Sequence, residues 1–179
     1  MPIKTIFLDR DGVINKDKNY LYKIDDFEFT SDCVVGLKRL IDKGYLLIIV
    51  TNQSGIGRGY YSEQDYQALT TWYLDELLMQ GVSIQAVYHC PHSPEFGCDC
   101  RKPKSGLFRQ ALKQYPEIDL SQSLMIGDKL SDLKAANSVG VQRLVLVESE
   151  NKKDAYNASS ELDTRLERFI SLADFSCSL

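Results

Sequence analysis

Residues 45–50 read Tyr-Leu-Leu-Ile-Ile-Val, six consecutive side chains without a polar break. A strand with one wet face alternates apolar and polar residues, so an unbroken run belongs to a strand covered on both faces, as in a parallel sheet. Shorter strand-like segments stand at 6–8, 84–88, 124–126 and 143–147. Between them, apolar residues recur at helical spacing: Val34, Leu37, Leu40 and Ile41 before Gly44, then Tyr66, Leu69, Tyr73 and Leu77 before Gly81, then Leu107, Phe108, Ala111, Leu112 and Tyr115, then residues 130–139. Ser31 or Asp32 is placed to cap the first helix, and Ser62 with Asp65 forms a capping box for the second. A polar, loop-like stretch over 148–160 precedes a last amphipathic helix expected over about 161–172. Strands alternating with helices predict an α/β fold, a doubly wound, mainly parallel, Rossmann-like sheet with helices on both faces. At 179 residues the chain suits one domain, 1–179.

The strand ends carry the polar chemistry. The first strand runs directly into Asp9, Asp11 and Gly12. Alternation would send carboxylates one residue apart to opposite sides, but a glycine turn at the strand end lets both converge on one ion or one reacting atom. A polar turn leaving a buried strand has the same composition, so this pair alone does not decide. A helix-loop-helix calcium loop is excluded: it needs oxygen ligands at its fifth and twelfth positions and glycine at its sixth, where this chain has Val13, Tyr20 and Ile14. The second strand delivers Thr51, Asn52, Gln53 and Ser54, and the fourth delivers Gly127 and Asp128. In doubly wound sheets ligands bind outside the carboxyl ends, where the strand order reverses. That rule gathers Asp9, Asp11, Thr51 and Asp128 onto one rim.

Other segments are less pointed. Residues 16–30 read as an ordered loop over the first strand end. Residues 54–59, SGIGRG, lack the Gly-Lys-Ser/Thr ending of a phosphate loop and do not follow the first strand. They read as a mobile glycine loop from which Arg58 could reach a substrate. The Tyr66 and Tyr73 stripe reads as core packing.

A net charge of −4 gives no general attraction to nucleic acid or anionic lipid, so a phosphate needs a local cluster of positive groups. With no apolar run of membrane-spanning length and no signal-like start, the chain reads as cytoplasmic. Five cysteines without an export signal favour metal binding or inert burial over disulfides. Cys90, His92, Cys98 and Cys100 form a candidate four-ligand set with no open position, the pattern of structural zinc. His89, Cys33 and Cys177 read as structural. No heptad or long apolar patch is visible, and a monomer is expected.

Four motifs in order, DRDG at 9–12, TNQSG at 51–55, RKP at 101–103 and GDKLSD at 127–132, resemble the haloacid dehalogenase superfamily of phosphatases over most of the chain. The cysteine insert is similar to the branch that holds the heptose bisphosphate and histidinol-phosphate phosphatases. TNQSGIGRG and GDK stand closer to the heptose side. The resemblance implies a magnesium-dependent phosphatase acting on a small sugar phosphate, with Asp9 as nucleophile and Asp11 as general acid and base. Thr51 and Lys102 would hold the phosphoryl oxygens, and catalytic Mg²⁺ would sit on Asp9, Asp128 and the main-chain carbonyl of Asp11. Asp17, Lys18, Asn19 and Tyr20 would line the sugar side, together with Asn52, Gln53 and Ser54. Arg101 would meet a second phosphate, Lys129 would stand at the metal and phosphate edge, and Asp132 would orient Lys102 or cap its helix. Zn²⁺ on Cys90, His92, Cys98 and Cys100 would staple the loop 90–100 and so hold Arg101 and Lys102. No insertion is large enough for a cap domain. Histidinol phosphate is the rival substrate, offering a cation where the heptose offers a second anion. An idle, zinc-containing phospholigand-binding module is the remaining alternative, though it has no need of Asp11.

Overall fold

A computed structural model describes residues 1–148 and 166–179. Six strands form one parallel sheet: β1 (Thr5–Leu8), β2 (Leu46–Asn52), β3 (Ala86–Cys90), β4 (Leu124–Gly127), β5 (Arg143–Val147) and β6 (Glu167–Phe169). Their spatial order is β3-β2-β1-β4-β5-β6, so β1 lies between β2 and β4 and the order reverses beside it. That crevice is where this architecture places ligands.

The side-chain period of two feeds a separate core on each face. Ile6, Leu8 and Ile49 pack with Leu37 and Leu40 of α1 (Cys33–Asp42), Leu69, Tyr73 and Leu77 of α3 (Glu63–Met79) and Phe175 of α6 (Leu172–Cys177). Phe7, Ile48 and Val50 face the other way, against Leu107 and Phe108 of α4 (Gly106–Gln114) and Leu133 of α5 (Leu130–Ser138). The doubly wound expectation holds, and no large cap domain covers the strand ends among the described residues. No described helix is long and apolar enough to cross a membrane.

The Ser62 capping box is present: Asp65 N donates to Ser62 Oγ at 3.0 Å and Ser62 N donates to Asp65 Oδ2 at 2.8 Å. Asp32 does stand at the N-cap of α1, but its φ of 54° is left-handed and its side chain makes no capping bond. The loop over 16–30 is ordered, pinned by Thr30 N to Ile14 O at 2.9 Å and by the buried Leu21 and Phe27.

Two expectations are corrected. Residues 54–57 are a helical turn, α2 (Ser54–Gly57), rather than a mobile loop. Its glycines mark close approaches: a Cβ on Gly55 would lie 2.1 Å from Tyr61 Cε1, and one on Gly57 would lie 2.7 Å from the Pro91 carbonyl. The last helix was expected over about 161–172, of which 161–165 lie outside the described residues, as does 149–160 of the polar stretch. Within the described part, Glu167–Phe169 is a strand and the helix begins only at Leu172. The open edge of β5 offers backbone groups that a strand satisfies and a helix does not, and Arg143 of β5 pairs with the Glu167 carboxylate.

Phe175 is 0% exposed, stacks edge-on with Phe169 at 5.2 Å and lies under the Arg143 guanidinium. We expect Phe175→Ala to lower stability by about 3–5 kcal/mol in urea unfolding while leaving kcat unchanged, because this edge of the sheet is remote from the crevice.

Candidate active site

A cavity of about 450 Å³ opens at the carboxyl ends of the strands. Asp9 follows β1, and its own backbone N–H donates to Ile126 O at 3.0 Å, fixing it between β1 and β4. The Arg10 N–H donates to Asp9 Oδ1 at 2.8 Å. Lys102 Nζ lies 3.0 Å from Asp9 Oδ1 and 2.7 Å from Asp132 Oδ1, and donates to Val50 O at 2.7 Å. Burial, and then Asp132, push the Asp9 carboxyl above its ordinary value, against the pull of Lys102 and Lys129. Burial opposes the Lys102 ammonium, yet Asp132 and Asp9 hold it above the ordinary lysine value.

Asn52 fixes the main chain of this lysine from both sides, accepting from Lys102 N at 3.0 Å and donating to Lys102 O at 3.1 Å. Both groups of its amide are thereby engaged with Lys102, although the side chain also lines the cavity.

Asp11 belongs to a different set of contacts. Arg10 Nη2 donates to both of its oxygens at 2.9 and 3.0 Å, Asn15 Nδ2 to Oδ1 at 3.0 Å and Gln53 Nε2 to Oδ2 at 3.1 Å. Burial works against the charge, but Arg10 and these bonds keep the carboxyl below the usual range. Tyr61, its phenol pushed up to about 12 by burial, donates to Gln53 Oε1 at 2.6 Å. This fixes the Gln53 amide so that its NH₂ reaches Asp11 and also Thr51 Oγ1, at 2.9 Å. Thr51 accepts that bond and keeps its own proton to donate.

Asp9, Asp128 and Asp132 bring carboxylate oxygens within 4.8 Å of one another. All-oxygen donors of this kind suit a small hard cation. The grouping is possible because residues 12 and 127 carry no Cβ: one on Gly12, at φ +86°, would lie 2.4 Å from Asp128 Oδ2, and one on Gly127 would lie 2.5 Å from Asp132 Cβ. Asp132 is also engaged by Lys102 and by Lys129 N, which donates to its Oδ2 at 3.1 Å. It therefore both orients the lysine and caps α5. The Asp11 carboxylate stands outside this grouping, facing Arg10, Asn15 and Gln53.

Of the other expected residues, Asp17, Asn19, Tyr20, Gln53, Ser54, Arg101 and Lys129 line the cavity. Lys18 does not, its ammonium being drawn to Glu28 at the exposed surface. Arg58 also stands outside the lining, 3.6 Å from Glu95. Sequence reasoning missed Arg10, Asn15 and Tyr61. An arginine set between two site aspartates was the only visible sign of the first.

The cysteine insert closes on itself. Cys90, His92, Cys98 and Cys100 present four ligand atoms within 4.8 Å of one another, with Cys100 Sγ 3.0 Å from Cys90 Sγ and 3.4 Å from Cys98 Sγ. The cysteines are free rather than bridged. Three sulfurs and one imidazole nitrogen fit a closed tetrahedral zinc site. Phe96 stacks on the His92 ring at 4.3 Å.

Residues 99–168 match the HAD-hydrolase-like family profile. The chain is 53% identical over 154 residues to the D-glycero-alpha-D-manno-heptose-1,7-bisphosphate 7-phosphatase of Photorhabdus laumondii, covering 82% of this chain and 84% of that one. It is 54% identical over 153 residues to the D-glycero-beta-D-manno-heptose-1,7-bisphosphate 7-phosphatase of Haemophilus ducreyi, covering 80% and 82%. Among solved structures, the D,D-heptose 1,7-bisphosphate phosphatase from B. bronchiseptica, complexed with magnesium and phosphate, superposes with a TM-score of 0.88 at 31% identity, covering 98% and 97%. The chain belongs to the haloacid dehalogenase-like hydrolases and is a phosphatase. Within that family its similarity is to the heptose bisphosphate phosphatases.

If zinc closes the loop, Cys100→Ser should lower zinc, measured by emission spectroscopy, from about one equivalent to a small fraction, because structural affinity depends on the full ligand set. The melting temperature should fall with it, and kcat should drop through loss of the adjoining Lys102 position.

Proposed function

We propose that the protein hydrolyses the C7 phosphate of D-glycero-D-manno-heptose 1,7-bisphosphate, with magnesium, through an aspartyl-phosphate on Asp9, and that residues 1–179 act as a single catalytic domain. The observation that carries the reading is Lys102 Nζ held between Asp9 and Asp132 in the cavity where Asp11 stands. Nucleophile, countercharge and proton carrier thus share one rim.

A phosphomonoester dianion repels an approaching carboxylate, and bound magnesium on Asp9, Asp128 and the Asp11 carbonyl would supply the positive charge that offsets this. Asp9 attacks phosphorus as the bond to the sugar oxygen breaks, and Asp11, ionised in the free site and protonated as the phosphate dianion enters beside it, gives that oxygen its proton. Water then attacks the aspartyl-phosphate, Asp11 takes the water's proton, and Asp9 is regenerated with release of phosphate. Lys102 and the Thr51 hydroxyl hold the phosphoryl oxygens, where charge stabilisation counts most.

Arg101 supports a bisphosphate over histidinol phosphate. It lines the cavity with a guanidinium, a group suited to an anion, and its Nη1, turned inward, has no hydrogen-bond acceptor. Histidinol would bring a cation to the same place. The names of similar relatives divide between the alpha and beta anomers at 53% and 54% identity, and the cavity lining does not separate them.

Phosphate release with Mg²⁺ should show a higher kcat/KM for the heptose bisphosphate than for histidinol phosphate; the reverse preference removes the substrate assignment. Asp9→Asn should lower turnover by about 10⁴-fold or more while preserving the fold and the zinc content, since Asp132 still pairs the buried Lys102. Near wild-type activity would take Asp9 out of the mechanism. Losing a charge-assisted bond of about 1.5–3 kcal/mol, Arg101→Met should raise KM for the bisphosphate by about 10- to 100-fold, with a smaller effect on a sugar monophosphate.

A further inference from the structure

Arg10 stands between the two site aspartates, in surroundings that do not suit a residue kept for stability. Its side chain is buried, at 0% exposure, and among the described residues its carboxylate partner is Asp11. Nε and Nη2 donate to Asp11 Oδ1 at 3.3 and 2.9 Å, and Nη2 donates to Oδ2 at 3.0 Å. Tyr66 and Tyr73 bear on the guanidinium electrostatically, but burial pushes both phenols up, so they stay neutral and supply no countercharge. Nη1 is buried without an acceptor. An apolar side chain would fill this place with less desolvation.

The same residue reaches two other parts of the site. Its main-chain N–H donates to Asp9 Oδ1 at 2.8 Å. Nη2 donates to the Leu21 carbonyl at 3.1 Å, and Leu21 lines the cavity directly after Asn19 and Tyr20, each at φ 52°. Left-handed backbone at two successive non-glycine residues persists only where the surroundings enforce it.

We propose that Arg10 is a positioning residue for proton transfer, its guanidinium setting the Asp11 carboxylate against the leaving-group oxygen and tying that orientation to the loop on the sugar side. The proposal rests on the acid and base role of Asp11 given above. The proton passes between Asp11 and the leaving oxygen or water, while Arg10 stays charged and exchanges none. The later water step needs Asp11 as base whichever group has left, but in the first step misplacement of Asp11 shows where the leaving group needs a proton. A sugar alkoxide needs one, whereas 4-nitrophenolate departs without it.

The test measures, with Mg²⁺ and enzyme in excess, the single-turnover rate of leaving-group release from the heptose bisphosphate, or from histidinol phosphate if that is the better substrate, and from 4-nitrophenyl phosphate. The variants are Arg10→Met, Arg10→Lys and Asp11→Asn. A catalytic group displaced by about 1 Å loses about 100-fold. Arg10→Met should lose about that much in the release rate on the alkyl phosphate and about tenfold or less on the aryl phosphate. Arg10→Lys keeps the charge but lacks the planar fork, and should restore only part of the alkyl rate. It also carries the test if Arg10→Met does not fold. Equal losses on both substrates in the folded Arg10 variants, or full recovery with lysine, overturn the proposal. If Asp11→Asn shows the selective loss and the Arg10 variants do not, the positioning role alone fails. If Asp11→Asn slows leaving-group release equally on both substrates, the acid role fails and takes the positioning role with it.

Discussion

A buried ammonium persists only where opposite charge and acceptors replace its water, and Lys102 meets that demand from three parts of the chain. Asp9 at the end of β1, Asp132 in α5 and the Val50 carbonyl in β2 each stand 2.7–3.0 Å from Nζ. One point charge thereby fixes the spacing of elements that are far apart in sequence. The constraint runs both ways. Asp9 and Asp132 are two carboxylates in one buried group and would repel each other without the lysine between them, and the lysine would be driven toward neutrality without them. In the proposed reaction, a nucleophile and its countercharge held by the same contacts would need little rearrangement, which is the condition under which fixed charges stabilise a transition state best.

Glycines let these charges come together. Gly12 and Gly127 stand where a Cβ would strike Asp128 and Asp132, so the carboxylate cluster depends on two missing methyl groups. The same applies a shell further out. Gly55 makes room for Tyr61, whose hydroxyl fixes the Gln53 amide, and Gln53 in turn joins Asp11 to Thr51. A Cβ on Gly106 would lie 2.5 Å from the Asp99 carbonyl, so α4 begins pressed against the cysteine loop. Of the glycines of SGIGRG, Gly55 and Gly57 serve side-chain placement and loop contact, while Gly59, at φ +74°, serves a turn.

Much of this was legible in the sequence because its signals are local. Unbroken apolar runs gave the parallel strands, strand-end polar groups gave the rim, and the Cys and His spacing gave the metal-ligand cluster. What escaped depends on partners distant in sequence. Arg10 looks like a surface residue in DRDG, and only the packing of α3 behind β1 makes it a buried ion pair. Tyr66 and Tyr73 read correctly as core, but no periodicity shows that their hydroxyls lie near a guanidinium. Strand β6 is three residues long, too short to carry its own period, and exists because β5 has an edge to fill. Asp32 has a capping residue type but a left-handed backbone, a conflict that composition cannot reveal.

Cys100, Arg101 and Lys102 are consecutive, and each serves a different partner. Cys100 closes the cysteine cluster, Lys102 is clamped by Asn52 through its main chain and by Asp9 and Asp132 through its ammonium, and Arg101 lies between them with Nη1 turned to no protein acceptor. A residue whose two neighbours are both fixed has little backbone freedom of its own. Arg101 therefore enters the cavity lining from a main chain restrained on both sides, which lowers the backbone ordering cost of a contact made there. The cluster and Asn52 together set the register of this tripeptide. The cysteine loop thus does more than brace a segment without a core: together with Asn52 it fixes where the main chain of Arg101 and Lys102 meets the cavity.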